Sequence, residues 1–588
     1  MPTAMPPAAD PDRPMARLRA LFRSSEPSLL VLAAVIGALA GAIVFAISEA
    51  TETLHVLLFG IDPGAKLSAV EAIRPWHAAI PLIGGALLGL VVYLFRNRRR
   101  FIVDPIEANA LHGGQMSLSD SLRVGLENVI SNGFGASVGL EAGYTQVASG
   151  IASTLGMRLG LRRMDLRLVV GCGAAGAIAA AFGGPLTGAF YGFELIIGVY
   201  SVANVAPVLI AALAGYLVAR ALGLDAEFID IPASIHLEAA DYPPYLALGL
   251  LLGLLAIVIM RLITLVELAF QKSGIPRYFR PAIGGAVVGA LALITPQALS
   301  GGHGALYLNL STTPAIGTLL LVLIVKIAAT STSIGSGFRG GMFFASLFLG
   351  VLAGRLYGSS MELAFPGLAL DPTVTAIVGM SALSVGIVGG PLTMTFLALE
   401  VTRDLQLTGI VLAASIIATT TVRQLFGYSF STWRLHLRGE TIRGAQDIGW
   451  LRDLTVGRMM RTDMRRILTT TRLDAFRSLY PLGAEKRVVV TDASGAYAGI
   501  VLVADAHAMA EPGDATVAGL CRYRDAMLLP DMTAREAAAA FEAAESEELV
   551  VVDEPEGRQV IGLLTEAHLL RRYTEELDKA RRSLSGEN

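Results

Sequence analysis

The sequence predicts an all-α polytopic membrane protein followed by a small α/β cytoplasmic pair of domains. Three observations carry that prediction. Of 588 residues, 53% are hydrophobic and only 16% charged, with a mean hydropathy of +0.59; soluble domains carry about 25% charged residues. The apolar character is uneven, because residues 1–27 and 440–588 are polar. One phrase also occurs twice: GGPLTGAFYGFE at 183–194 and GGPLTMTFLALE at 389–400.

Segments 28–49, 78–95, 206–222, 242–266, 315–330 and 408–422 suit spans of about 20 apolar residues. Others are too short or too Gly-rich to cross alone, which predicts half-helices. Both copies of the repeated phrase have a Phe five residues after the Pro and a Glu nine after it. Apolar composition alone does not fix those residues. Transporters are often built from two such halves, with the binding site near the midplane where broken helices meet.

Arg13, Arg17, Arg19 and Arg23 precede the first span, and Arg96, Arg98, Arg99 and Arg100 follow the second. Two spans between two basic clusters place both clusters in the cytoplasm. The first 14 residues are rich in Pro and Ala, and 15–25 (MARLRALFRSS) is a short basic amphipathic stretch suited to a membrane surface. The net charge of −3 does not argue for nucleic acid, and the two cysteines, Cys172 and Cys521, show no metal spacing and no disulfide framework.

Three Gly-rich breaks interrupt the membrane region: 133–150, 334–354 and the repeated GGPLT. A helix starting just after a break aims free N–H groups into it and attracts an anion. Such irregular backbone is tolerated in a membrane only around a cavity or inside protein, although many glycines serve close helix packing instead. Ionisable residues here are few and are functional candidates. Glu141 lies inside the first break, Arg339 inside the second, Lys326 in an apolar run, and Glu194 and Glu400 end the two repeats. A carboxylate beside converging helix N-termini would compete with an anion for the same positive field. Protonation would release it, which is a physical basis for a gate or for coupling protons to anions. The other reading of Glu194 and Glu400 is that they hydrogen-bond loop amides.

At these residues, over roughly 28–440, the chain resembles the CLC family of chloride channels and proton/chloride antiporters. Gly139-Leu140-Glu141-Ala142-Gly143 with Gln146 resembles the family's gating-glutamate motif, and Gly341-Met342-Phe343-Phe344-Ala345 its chloride-binding backbone motif. Residues 171–194 resemble the helix pair that follows. The resemblance implies about 18 helical segments in two inverted halves and a homodimer with one pathway per subunit. It makes Glu141 the proton-sensitive gate, and it gives Gly139, Leu140, Ala142, Gly341, Met342 and Phe343 to the anion site.

Departures from the family pattern bear on mechanism. Gly143 and Ala345 replace the prolines of the two motifs, and Ile102 or Val103, beside Asp104, takes the place of an anion-coordinating serine. Ser431 falls at the anion-coordinating tyrosine, with Tyr428 and Trp433 nearby, and Leu195 at the antiporters' internal glutamate. Lost hydroxyl donors weaken anion binding or change selectivity unless Arg339, Ser431 or Tyr428 compensates. Protons would then reach the gate through Glu194 or water. Arginine's fork of donors suits planar oxyanions, so bicarbonate and nitrate stay open beside chloride and fluoride.

The tail contains two similar stretches, 455–509 and 516–570, each with two apolar strands between helices. They resemble a tandem pair of CBS domains, a regulatory module that often binds adenine nucleotides. Each copy keeps half of the family's nucleotide signature: Gly499 and Asp505 in the first, Gly562 and Thr565 in the second. The alternative is a module that only stabilises a dimer.

These readings divide the chain into 1–27 (basic N-terminus), 28–440 (anion transport domain), 441–454 (linker), 455–511 and 512–575 (CBS domains) and 576–588 (polar tail). The expected function is anion transport, chloride/proton antiport first and uncoupled or other-anion transport second. The site would lie in a bacterial cell (inner) membrane with both termini cytoplasmic. A third reading is a transport-inactive sensor. No Ser/His/Asp arrangement, metal cluster or phosphate loop points to an enzyme, and no cofactor is implied beyond an adenine nucleotide on the tail.

Overall fold

The computed structural model describes residues 26–95, 102–224, 242–366, 370–438, 454–509 and 514–585. The basic segments at 13–23 and 96–100 and nearly all of the 441–454 linker lie outside the described residues. The chain forms two compact units, Met1–Asp447 and Ile448–Asn588.

The first unit is helical. In order, its helices are α1 (Glu26–Phe59), α2 (Ala79–Leu94), α3 (Pro105–Leu111), α4 (Leu118–Gly133), α5 (Glu141–Leu159) and α6 (Arg163–Phe182). They continue with α7 (Pro185–Tyr191), α8 (Val202–Ala221), α9 (Tyr242–Lys272), α10 (Arg280–Ala292), α11 (His303–Ser311) and α12 (Ile316–Ser336). The last are α13 (Phe343–Ala364), α14 (Pro372–Val388), α15 (Pro391–Thr402), α16 (Leu405–Leu425) and α17 (Phe430–Leu437). Among the described residues, 8 helical stretches are long and apolar enough to cross a membrane. Helices α3, α7 and α11, of 7, 7 and 9 residues, are too short to cross, as the Gly/Pro breaks predict.

The repeated GGP works as stop, turn and start. Gly183 ends α6 in the left-handed region (φ +65°) and Pro185 opens α7. Gly389 and Gly390 (φ +88° and +77°) end α14, and Pro391 opens α15. Only glycine takes that backbone without strain, and proline is pre-set for a first helical turn. The two halves meet reciprocally. A Cβ on Gly85 (α2) would lie 2.1 Å from the Pro281 carbonyl oxygen, and one on Gly285 (α10) 2.0 Å from that of Pro81. Phe190 and Phe396, equivalent in the two repeats, stack at 4.3 Å. The main core gathers α9, α13, α14 and α16 around Tyr245, Phe348 and Ile410, and a second packs α1, α6 and α8 around Ile36, Val169 and Val208.

The second unit holds two three-stranded sheets of the same design. In each, a first strand pairs parallel to a second, which pairs antiparallel to a third: β1 (Arg466–Leu468), β2 (Arg487–Thr491) and β3 (Tyr497–Leu502), then β4 (Met527–Leu528), β5 (Glu548–Val552) and β6 (Val560–Thr565). Helices Leu473–Leu479 and Ala534–Ala544 cross over between the first two strands of each copy. This is the expected arrangement of a CBS pair. The opening segments are exchanged: Leu454, Val456 and Met459 pack into the core of the second copy, and Val517 and Leu520 into that of the first.

Candidate functional site

The first two Gly-rich breaks meet. Gly139 N–H donates to the Gly341 carbonyl (2.9 Å) and Gly341 N–H to that of Gly139 (3.1 Å), an antiparallel bridge between segments about 200 residues apart. Helix α5 starts two residues after the first partner and α13 two residues after the second, so both N-termini open at one point. The bridge bears on the expectation that Gly139 and Gly341 belong to the anion site: the amide of each is spent on the other break's carbonyl, because extended backbone in an apolar surround must satisfy its own polar groups.

Glu141 is the first residue of α5 and only 4% exposed. Its Oε1 accepts from the Phe344 amide at 3.2 Å, in the first turn of α13. Its Oε2 has no hydrogen-bond partner among the described residues. The carboxylate lies over both bridge glycines: a Cβ would come within 2.0 Å of Oε2 at Gly139 and 3.0 Å at Gly341. Glycine is therefore needed here for close approach. The first-turn amides of a helix have no intrahelical acceptor and favour negative charge. Glu141 thus places its carboxylate where first-turn amides favour negative charge, on an amide next to the expected Met342 and Phe343.

Two cavities meet at this carboxylate. The smaller, about 160 Å³, is lined by Glu52, His55, Lys66, Leu140, His303 and Phe344 among others. The larger, about 680 Å³, is lined by Ala142, Met342, Phe343, Arg339, Ser431 and Arg434 among others. Of all the lining residues, Glu141 alone belongs to both. The His303 ring stacks on Phe344 at 3.5 Å.

The expected side-chain contributors divide. Ser431 lines the larger cavity. Tyr428 does not: its hydroxyl meets His436 Nδ1 at 3.2 Å and its ring stacks on that imidazole. Arg339 lines the cavity but pairs with Glu127 (3.0 Å), whose other oxygen holds Arg123 (2.7 Å). Gln146 donates to the Val103 carbonyl (2.9 Å), and Asp104 caps α3 through the Glu107 amide (2.8 Å), so the departed serine's segment is held without a hydroxyl. The sequence reading missed Arg434, Glu127 and Asn128. The Arg123–Glu127 spacing of i, i+4 was a signal for Glu127; Asn128 left none.

Lys326, completely buried, donates to the Ser300 carbonyl at 2.8 Å and lines neither cavity. Glu194 and Glu400 also stand away from both. Glu194 accepts from Leu392 N–H (3.0 Å), Thr393 N–H (2.8 Å) and the Thr393 hydroxyl (2.7 Å). Glu400 accepts from Leu186 N–H (2.8 Å), Thr187 N–H (2.9 Å) and the Thr187 hydroxyl (2.6 Å). Each repeat's glutamate caps the GGPLT helix of the other. Glu194, expected to gate or carry protons, is engaged in this clamp.

In the second unit, Asp505 pairs with Arg522 (2.6 Å), and the Thr565 hydroxyl accepts from His568 N–H (3.2 Å). Both half-signatures are thus engaged within the fold. Asp492 closes the β2–β3 turn. Its carboxylate accepts from the Ser494 hydroxyl (2.6 Å), Ser494 N–H (2.8 Å) and Ala496 N–H (2.9 Å). The Ser494 hydroxyl above all holds its carboxyl below the usual range.

Known proteins share this fold. A ClcB-like protein of Ralstonia nicotianae is 32% identical over 388 residues, 64% of this chain and 90% of the relative. The voltage-gated ClC-type chloride channel ClcB of Escherichia coli is 29% identical over 413 residues, 69% and 98% of the two chains. Among solved structures, a slow cyanobacterial Cl⁻/H⁺ antiporter superposes with a TM-score of 0.60 at 22% identity, over 70% of this chain and 97% of that one. A eukaryotic CLC transporter gives 0.56 at 19% identity, over 94% and 98%, so the shared fold extends into the C-terminal unit. The family model for voltage gated chloride channels matches residues 84–423, more than half of the sequence, and the chain belongs to that family.

Proposed function

We propose that the protein carries chloride across a membrane in exchange for protons, with Glu141 as the gate. The observation that carries this reading is the Glu141 carboxylate on the Phe344 amide, at the one residue shared by both cavities. Ionised, the carboxylate competes with an anion for the open turns of α5 and α13. Protonated, it loses its claim on the N–H field, leaves the amide, and an anion passes. Amides of Leu140, Ala142, Met342 and Phe343 would share the ion with Ser431. The larger cavity faces the cytoplasm in this reading, because its lining includes Leu437 and Arg438, next to the link to the polar tail. Two copies, each with its own pathway, form the working unit in a bacterial cell membrane.

The absent internal glutamate bears on coupling. Leu195 cannot carry a proton and Glu194 is committed to Thr393, so protons would come to Glu141 through water in the larger cavity. Uncoupled chloride flux is the result if that water path fails. A second reading concerns the cargo. Arg339, Arg434 and Arg438 all line the larger cavity, and guanidinium forks suit nitrate or bicarbonate. An adenine nucleotide on the C-terminal pair would first have to displace Arg522 from Asp505.

The test is flux from reconstituted liposomes, recording anion efflux and proton uptake together for chloride, nitrate, bicarbonate and fluoride. Chloride-driven proton uptake supports the antiporter, and efflux without protons makes the protein a channel or uniporter. No flux of any of these anions sinks the transport reading and leaves a sensor. Equal rates for every anion in wild type and Arg339→Gln remove the basis of the oxyanion reading.

A further inference from the structure

We propose that Asn128 is the positioning residue of the Glu141 gate, acting through three backbone groups that fix one helix N-terminus against the other. The proposal rests on the gate reading above. Asn128 lies in α4 and is completely buried. Its Nδ2 donates to the carbonyls of Gly139 and Arg339, both at 3.0 Å. Its Oδ1 accepts from Gly143 N–H at 3.1 Å. One side-chain amide thus holds a bridge glycine, the residue two before the other bridge glycine, and the residue two after the gate. Both amide hydrogens and the oxygen are used, so the orientation of the group is set by its partners.

The contacts select the residue types. Aspartate would keep the acceptor for Gly143 but set a carboxylate against two carbonyl oxygens. A Cβ at position 143 would lie 2.2 Å from Asn128 Oδ1, so Gly143 is required by the staple itself. A proline there would also lack the N–H that Asn128 accepts.

The staple matters more to the carboxylate than to a free ion. Glu141 is tethered to α5 and must reach an amide on α13, so its contact depends on how the two N-termini are registered. A diffusible anion has no tether and resettles when that register loosens. Removing the staple therefore weakens the competitor more than the ion, and anion binding should tighten. A merely structural defect would weaken it.

The experiment is chloride titration calorimetry on the detergent-purified full-length protein, with monodispersity checked for each variant. Glu141→Gln should tighten chloride binding. Asn128→Ala and Asn128→Asp should each tighten it about fivefold, the weight of one hydrogen bond. On the Glu141→Gln background, Asn128→Ala should change nothing further, because no gate remains to position. Gly143→Ala, which displaces the staple without deleting it, gives the same comparison if the Asn128 variants do not fold. Weakened binding of the same size in both backgrounds, or wild-type affinity in Asn128→Ala beside a normal Glu141→Gln response, overturns the proposal. A Glu141→Gln protein that binds chloride like wild type removes the gate reading, and the proposal with it.

Discussion

Gly139 and Gly341 exchange both of their backbone hydrogen bonds, at 2.9 and 3.1 Å. That pair turns two helix N-termini, about 200 residues apart in the chain, into one anion-attracting point with a carboxylate on it. The close approach depends on the missing Cβ atoms.

Gly139→Ala should therefore expel the Glu141 carboxylate. The new Cβ would sit 2.0 Å from Glu141 Oε2, and overpacking of this kind costs about 1–3 kcal/mol. Leaving the amide is the cheapest relief. Anion efflux from liposomes should lose its dependence on protons while the protein stays folded. Proton-dependent efflux equal to wild type would show that the carboxylate does not need this space.

Tyr428→Phe should leave transport within about twofold of wild type, as expected for a change away from the site. The hydroxyl it removes meets His436, not the pathway. Ser431→Ala, on the cavity wall, should raise the KM for chloride about fivefold if one hydrogen bond is lost. Concentration-dependent efflux separates the two, and a larger effect at Tyr428 would reverse their roles.

The crossed clamp gives a stability prediction. Glu194→Ala and Glu400→Ala each delete at least three hydrogen bonds to a carboxylate and should cost roughly 3 kcal/mol apiece. Thermal unfolding in detergent should show similar losses for both, by the symmetry of the repeats. The ratio of protons to anions moved by the remaining folded protein should stay unchanged. A changed ratio in Glu194→Gln alone would bring that residue into the proton route.

Asp492 gives the tail an acid-sensitive turn. Its folded-state pKa is depressed, with the Ser494 hydroxyl as the main cause. The stability it adds is therefore complete above its unfolded pKa and is lost as pH falls through the lower folded value. Asp492→Asn should lower the stability of the C-terminal unit at neutral pH, followed by hydrogen exchange of the β2–β3 turn in the full chain. The gap to wild type should close in acid. A gap that persists in acid would assign it to something other than the charge.

The order of elements was legible because apolar length and Gly/Pro punctuation are local signals. GGP marks a helix stop and start in both repeats, and the tail's alternating strands and helices stand where the pattern puts them. Glu141 stood out because a carboxylate in a glycine break is unusual in apolar surroundings. What was hidden is pairing across the chain. Nothing near Gly139 announces that its amide is used by Gly341, and nothing near Asn128 announces a bond to Arg339. Glu194 and Glu400 were visible as a pair, and hydrogen bonds to loop amides were one reading of them, but their crossed contacts to each other's repeat were not legible. The ring of Tyr428 stacks on His436, eight residues further on, and nothing in the local sequence announces that contact.

The most direct measurement is chloride efflux and proton uptake recorded together in liposomes for wild type and Glu141→Gln. The proposed antiport predicts that wild type moves protons against chloride and that Glu141→Gln abolishes proton movement while chloride continues to leave. Proton uptake that survives in Glu141→Gln would contradict the assignment of the gate to this carboxylate.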